Sequence, residues 1–154
     1  MATLKDQLQG DLTTAMKQRD ELSAATLRMA LTAVTNEEVA GKQARQLSDD
    51  DVVQVLVKEA KKRREAADAY LAAGHPDRAD RERAELGVLQ RYLPQELTTE
   101  EIAQIVAAAV AEVTGAGQSG QAAMGAVMKI VQPQVRGRAD GSAVAAAVKA
   151  ALGS

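Results

Sequence analysis

Apolar side chains recur along this chain at three- and four-residue intervals, and that spacing predicts helices almost from end to end. Leu4, Leu8, Leu12 and Ala15 line one face of a first helix, which Thr3 can cap and which ends near Gln18 to Asp20. A second runs from about Glu21 to Val39 and turns Ala24, Leu27, Leu31 and Val34 inward, with Gly41 closing it. After a polar connection, Ser48 and Asp51 resemble a capping box, with Asp in place of the usual Glu or Gln. The third helix then carries Val52, Val55, Leu56, Ala60, Ala67 and Leu71, and stops at Gly74-His75-Pro76. Pro76 suits the first turn of a fourth helix, which continues to Tyr92 with a short apolar face of Ala79, Leu86, Leu89 and Leu93.

Beyond Pro94, Thr98 and Glu101 form a full capping-box pattern ahead of Ile102, Ile105, Val106, Ala109 and Val113. This fifth helix stops at Gly115, where a glycine-rich loop runs to Gly120. A short sixth helix holds Met124, Val127, Met128 and Val131 and is expected to end before Pro133. Asp140 can cap a seventh, which carries Val144, Ala147, Val148 and Leu152. No segment shows the sustained apolar/polar alternation of a half-buried strand. The expected fold is all-α with two helical subdomains. Residues 1–93 form a charge-rich N-terminal helical bundle, and residues 98–154 an Ala/Gly-rich three-helix unit.

Composition sharpens this picture. The 154 residues are 46% hydrophobic and 26% charged, as in a folded globular protein. There is no Phe or Trp, and Tyr70 and Tyr92 are the only aromatic side chains besides the single His, so the core must come from closely approaching Ala, Val and Leu faces. The absence of Cys excludes disulfides, thiolate metal sites and Cys nucleophiles. His75, in its Gly-His-Pro turn, gives no multi-histidine metal site. The 115–120 loop lacks the Gly-Lys-Ser/Thr of a phosphate loop. Asp49 to Asp51 and Glu100-Glu101 both start helices, where the dipole favours acids. No cofactor is expected. The start, Met1-Ala2-Thr3-Leu4-Lys5-Asp6, lacks the pattern of a signal peptide. The longest apolar run, Ile105 to Ala111, is far short of the ~20 residues of a membrane span. A cytoplasmic protein is expected.

Charge points to binding surfaces rather than to catalysis. A formal net charge of −2 exerts no global pull on nucleic acid, so any such contact must be local. The densest basic run holds Lys58, Lys61, Lys62, Arg63 and Arg64, spread over most of a helix circumference and interleaved with Glu59 and Glu65 as i,i+4 partners. It reads as a solvated face, or as a secondary RNA-contacting patch. From Thr114 onward the charged residues are Lys129, Arg136, Arg138, Asp140 and Lys149, a positive balance. The turn Arg136-Gly137-Arg138-Ala139-Asp140-Gly141 offers two guanidiniums and free backbone N–H donors before a helix, which suits phosphate. The plainer reading is that Gly137 and Gly141 only make a tight interhelical turn. Met124 and Met128 are core by their spacing, or an adaptable apolar contact for a protein partner.

Several fragments, in this order and spacing, resemble the YqeY family of small bacterial proteins. In the first half they are Thr26-Leu27-Arg28-Met29, Leu47-Ser48-Asp49-Asp50, Lys58-Glu59 through Lys62-Arg63-Arg64, and Ala84-Glu85-Leu86 leading to Tyr92-Leu93-Pro94. In the second half they are Met124-Gly125, Val127-Met128, Gly137-Arg138-Ala139-Asp140-Gly141 and Val144. The family is related to the C-terminal tail of the B subunit of tRNA-dependent amidotransferases. The resemblance implies two helical subdomains, the second shared with that tRNA-gripping tail. It also brings a family label of carbon–nitrogen ligase activity with glutamine as amido-N donor. The residues themselves supply no nucleophile constellation for that chemistry. The reading is therefore a non-catalytic module for tRNA or another structured RNA, using Lys129, Arg136, Arg138 and Lys149. An adaptor in a translation-linked complex is the alternative.

Overall fold

The structure, a computed structural model, describes residues 2–153, and for Gln121 the backbone alone. Met1, where the stretch read for a leader begins, and Ser154, the end of the second expected unit, lie outside the described residues. Among the described residues there are seven α-helices, one 3₁₀ turn and no strand, so the fold is all-α. The helices are α1 (Leu4–Lys17), α2 (Glu21–Glu38), α3 (Asp49–Ala72), α4 (Pro76–Gln90), α5 (Thr99–Gly115), α6 (Met124–Val135) and α7 (Gly141–Gly153), with the 3₁₀ turn at Gly120–Ala123. The chain divides into two compact units, Met1–Leu93 and Pro94–Ser154. None of the described helices is long and apolar enough to cross a membrane.

In the first unit, α1 to α4 enclose a core built on Leu8, Leu27, Val34, Val52, Leu56 and Leu89. Local chemistry fixes where these helices begin. The Thr3 hydroxyl accepts the Asp6 N–H at 3.1 Å while the Asp6 carboxylate accepts the Thr3 N–H. Ser48 and Asp51 repeat the arrangement at the head of α3. Aspartate therefore closes the box as glutamate would. Gly74, at φ 81°, lets α3 reverse into α4, with the His75 N–H on the Tyr70 carbonyl and the Gly74 N–H on that of Leu71. The α1–α2 corner makes the same reversal with Arg19 at φ 56°, a left-handed conformation that costs a non-glycine residue about 1 kcal/mol. Asp20 locks that corner by accepting from the Ser23 N–H and hydroxyl.

One closing residue and one boundary differ from expectation here. α2 closes at Val39, whose N–H bonds the Thr35 carbonyl, and Gly41 takes no part because its φ is not positive. α4 ends at Gln90, and Arg91, Tyr92 and Leu93 follow as turns bonded back to Val88, Leu89 and Gln90. The buried face of α4 is Ala79, Glu85, Val88 and Leu89, whereas Leu86 and Leu93 are only half-buried.

The second unit packs α5, α6 and α7 around Val106, Val113, Val127, Val131, Val144 and Val148, with Ala109 allowing close approach. Met124 and Met128 are partly buried against this core. Contrary to expectation, α6 runs through Pro133 to Val135. A proline in the last turn removes a single N–H, so the helix survives it. Thr98 caps α5 by accepting the Glu101 N–H, but its hydroxyl also donates to the Glu101 carboxylate at 3.2 Å. The box expected there is thus only half formed. As expected, Asp140 caps α7, its carboxylate accepting the Ser142 N–H at 3.2 Å.

Candidate functional site

Lys129, Arg136 and Lys149 are exposed in the second unit, and none makes an ion pair among the described residues. Lys129 stands away from the buried Val127 and Val131 on α6, and Arg136 follows seven residues later, about 10 Å further along the axis. Lys149 lies at the other end of the unit, beside Met124, Leu152 and Gly120 around a cleft of about 430 Å³. Met124 and Arg136 bracket α6 and are twelve residues, or about 18 Å, apart. These cations are therefore strung along the unit rather than gathered into one pocket.

Arg138 has a different task. It is half-buried, its Nε donates to the Gln95 carbonyl at 3.1 Å, and its own carbonyl accepts the Leu97 N–H at 2.8 Å. It braces the lead-in of α5 against the α6–α7 turn, where Gly137 holds φ 76°. The Asp140 carboxylate also occupies part of the α7 N-terminus, so one of the backbone donors expected to face phosphate is already taken.

The basic run on α3 divides as well. Lys58, Lys61, Lys62 and Arg64 lie toward solvent, Arg64 half-buried and Lys62 71% exposed with a 3.3 Å bond to Glu59. Arg63 does not belong to a solvated face: its side chain is 4% exposed. The physical reason is its register, since Leu56, Ala60, Arg63 and Ala67 fall on one buried stripe of α3. Its Nη1 donates to the Glu59 carboxylate at 2.7 Å and to the Glu59 carbonyl at 3.0 Å. Its Nη2 reaches Met29 Sδ at 3.6 Å from α2. Across from it, the buried Glu85 of α4 brings an oxygen to 3.9 Å from Nε, too far for a hydrogen bond, and Nε has no other partner among the described residues.

These groups line a groove of about 520 Å³ between α2, α3 and α4. Glu82 also faces it. Burial, and next the charge of Glu85, raise its pKa above the ordinary 4.5, with Arg63 acting in the opposite sense. Sequence reasoning missed this site, although one signal was present. Glu85 shares a helical face with Val88 and Leu89, as Arg63 does with Leu56 and Ala60, so two apolar stripes carry charges of opposite sign. Elsewhere in the unit the Tyr92 hydroxyl donates to Asp11 at 2.6 Å.

The architecture defines a class: an all-helical protein of two compact units, one with a buried ionic cluster and one with an aliphatic core and scattered surface cations. The chain belongs to the Yqey-like protein family, which matches it over residues 5–152. It is 31% identical over 90 residues to "Altered inheritance of mitochondria protein 41, mitochondrial" of Saccharomyces cerevisiae, covering 57% of this chain and 47% of that protein. It is 33% identical over 82 residues to an uncharacterized protein of Schizosaccharomyces pombe, covering 53% of this chain and 64% of the relative. The match spans about half the length of the first relative and under two thirds of the second.

Proposed function

We propose that the protein is a non-catalytic module that grips tRNA or another structured RNA through its phosphates. The observation that carries this reading is the string of exposed cations Lys129, Arg136 and Lys149 along the second unit, unpaired among the described residues. Charges spaced over about 18 Å suit a repeating phosphate backbone better than one small anion. With two tyrosines and no Phe or Trp, the chain has little to stack on unpaired bases, so recognition is by shape and charge. A contact role rather than bond-making is supported by residue content: no Cys, and one histidine in an exposed turn.

An anisotropy titration of total tRNA across a salt series tests the proposal. Binding should fall with a log–log slope of about −3 for three phosphate contacts, and Arg136→Ala, Lys129→Ala or Lys149→Ala should each lower that slope by about 1. Arg138→Lys is the safer probe of the fourth position, because Arg138 also braces the turn. No binding at low salt, or slopes indifferent to all three alanines, would remove the proposal. The same reading places the protein in the cytoplasm, whereas the Saccharomyces cerevisiae relative is named as mitochondrial. Fractionation of cells carrying the tagged chain separates the two.

A further inference from the structure

α2 presents a stripe from Ala25 through Arg28, Met29 and Thr32 to Asn36, over about 16 Å, that lies largely outside the core, although Ala33 within it packs partly against that core. It floors the ionic groove, and at Arg28 the groove adjoins a second hollow of about 560 Å³ bordered by Met16, Arg19 and Arg81. Two features of this trough face solvent. Met16 and Met29 stand 52% and 51% exposed, one in each hollow, and with Val39 and Leu71 they are the large apolar side chains left in water among the described residues. Between them, the Arg28 guanidinium makes no hydrogen bond or ion pair among the described residues.

The charges in the trough are unevenly committed. Glu59 and Glu85 turn inward on Arg63 and are met outside by Lys62 and Arg81. Asp20 is held by Ser23, and Glu21 sits in the first turn of α2, where the helix dipole answers its charge. Glu82 also faces the groove and makes no ion pair among the described residues. Of the cations, Arg28 and Arg19 beside it are left without a counter-ion among the described residues.

We propose that this trough docks an amphipathic helix of a partner protein, which lays apolar side chains on Met16 and Met29 and a carboxylate on Arg28. A thioether adapts to many apolar shapes, and a helix laid along α2 can place apolar and acidic groups at matching i,i+3/i+4 intervals. The same carboxylate competes with Glu85 for Arg81, now 3.8 Å away, and frees Glu85 to close on the unpartnered Nε of Arg63. Nucleic acid fits less well, because its phosphates would approach Glu59, Glu82 and Glu85 and gain nothing from the methionines. The inference is independent of the RNA reading, which concerns α6 and α7.

Selection of a helical-peptide display library on the full chain, with anisotropy titration of enriched peptides, tests it. Enriched sequences should combine Leu, Ile or Met at helical spacing with Asp or Glu. Their binding should weaken at least tenfold on Arg28→Glu and on Met29→Ser, and stay unchanged on Arg136→Ala. Arg28 is exposed and its guanidinium has no bond among the described residues, so the circular-dichroism melt of Arg28→Glu should match the parent, whereas Met29→Ser also loses the Arg63 Nη2 contact and its melt is read beside its binding. Amide exchange of the complex should slow in α2 to α4. No enrichment, enrichment of basic peptides, indifference to Arg28→Glu, protection confined to α5–α7, or displacement by tRNA would overturn the proposal.

Discussion

Arg63 and Arg136 bring the same guanidinium to opposite fates, and the two units that hold them differ in the same way. In the first unit an arginine lies in the interior, held by Glu59 and faced by Glu85, amid leucine-rich packing. In the second the described core is aliphatic, and the cations stay outside. A buried ion pair adds little stability over an apolar pair of the same shape, because desolvation offsets its attraction. Removing one partner is another matter, since the other is left charged and dry. The first unit therefore depends on matching charges across helices, and the second on fitting methyl groups.

The sharpest way to break this comparison is Arg63→Met. It strands Glu59 and Glu85, whose side chains are 12% and 11% exposed, and should destabilise the first unit by about 3–5 kcal/mol. Urea denaturation read with amide exchange checks it: exchange should rise in α2–α4 and stay unchanged in α5–α7. Equal loosening of both units would show that they do not melt separately and would end the contrast. Arg63→Met with Glu59→Met should recover part of the loss, as an apolar pair replaces one ionic contact while Glu85 keeps only Arg81.

Second in size is Val131→Ala, which opens a cavity in the fully buried centre of the other unit and should cost about 2 kcal/mol. The loss should be the same in low and high salt, and should appear in α5–α7 exchange alone. A strong salt dependence would mean that charge matters there too.

How far the sequence foretold this contrast depends on the kind of residue. Val127, Val131, Val144 and Val148 are apolar at helical spacing and were placed correctly, because hydrophobic periodicity is a one-dimensional signal. Thr3, Ser48 and Asp140 cap where local chemistry says they should. From the sequence Arg63 is one charge in a solvated run, since an i,i+4 partner looks the same on a wet helix as on a buried one. Only the packing of α2 and α4 over α3 distinguishes them, and that is a three-dimensional fact. Pro133 misled for a related reason: the rule against internal proline weakens in a last turn, and the turn's position depends on packing. The string of cations on the second unit was legible as residues, but not its span, nor that Arg138 is spent on Gln95.

Tyr92→Phe ranks third. It deletes the 2.6 Å bond to Asp11 and should cost the first unit about 1.5 kcal/mol at neutral pH. Burial, and then Asp11, push the Tyr92 hydroxyl well above its ordinary 10.0. A raised pKa means that the contribution is intact below pH 10 and is lost as pH rises through the folded value. The parent should therefore lose stability in alkali more steeply than Tyr92→Phe. Parallel alkaline melting curves for the two would show that the bond does not form in solution.

The smallest effect separates the two units at their helix starts. Ser48→Ala removes one arm of a reciprocal box and should cost about 1 kcal/mol, while Thr98→Ala, at a half-formed box, should cost less. Acid adds a second distinction. The Ser48 hydroxyl, and next its backbone N–H, hold the Asp51 carboxyl below its ordinary 3.8. That depressed value makes a contribution that is whole above pH 3.8 and drains away as pH falls through the folded pKa. With the hydroxyl gone, Asp51 moves back toward 3.8, so Ser48→Ala should flatten the acid limb of the first unit's stability curve. An acid limb unchanged by Ser48→Ala would place the sensitivity elsewhere, with Asp20 as the next candidate because Ser23 depresses it in the same manner.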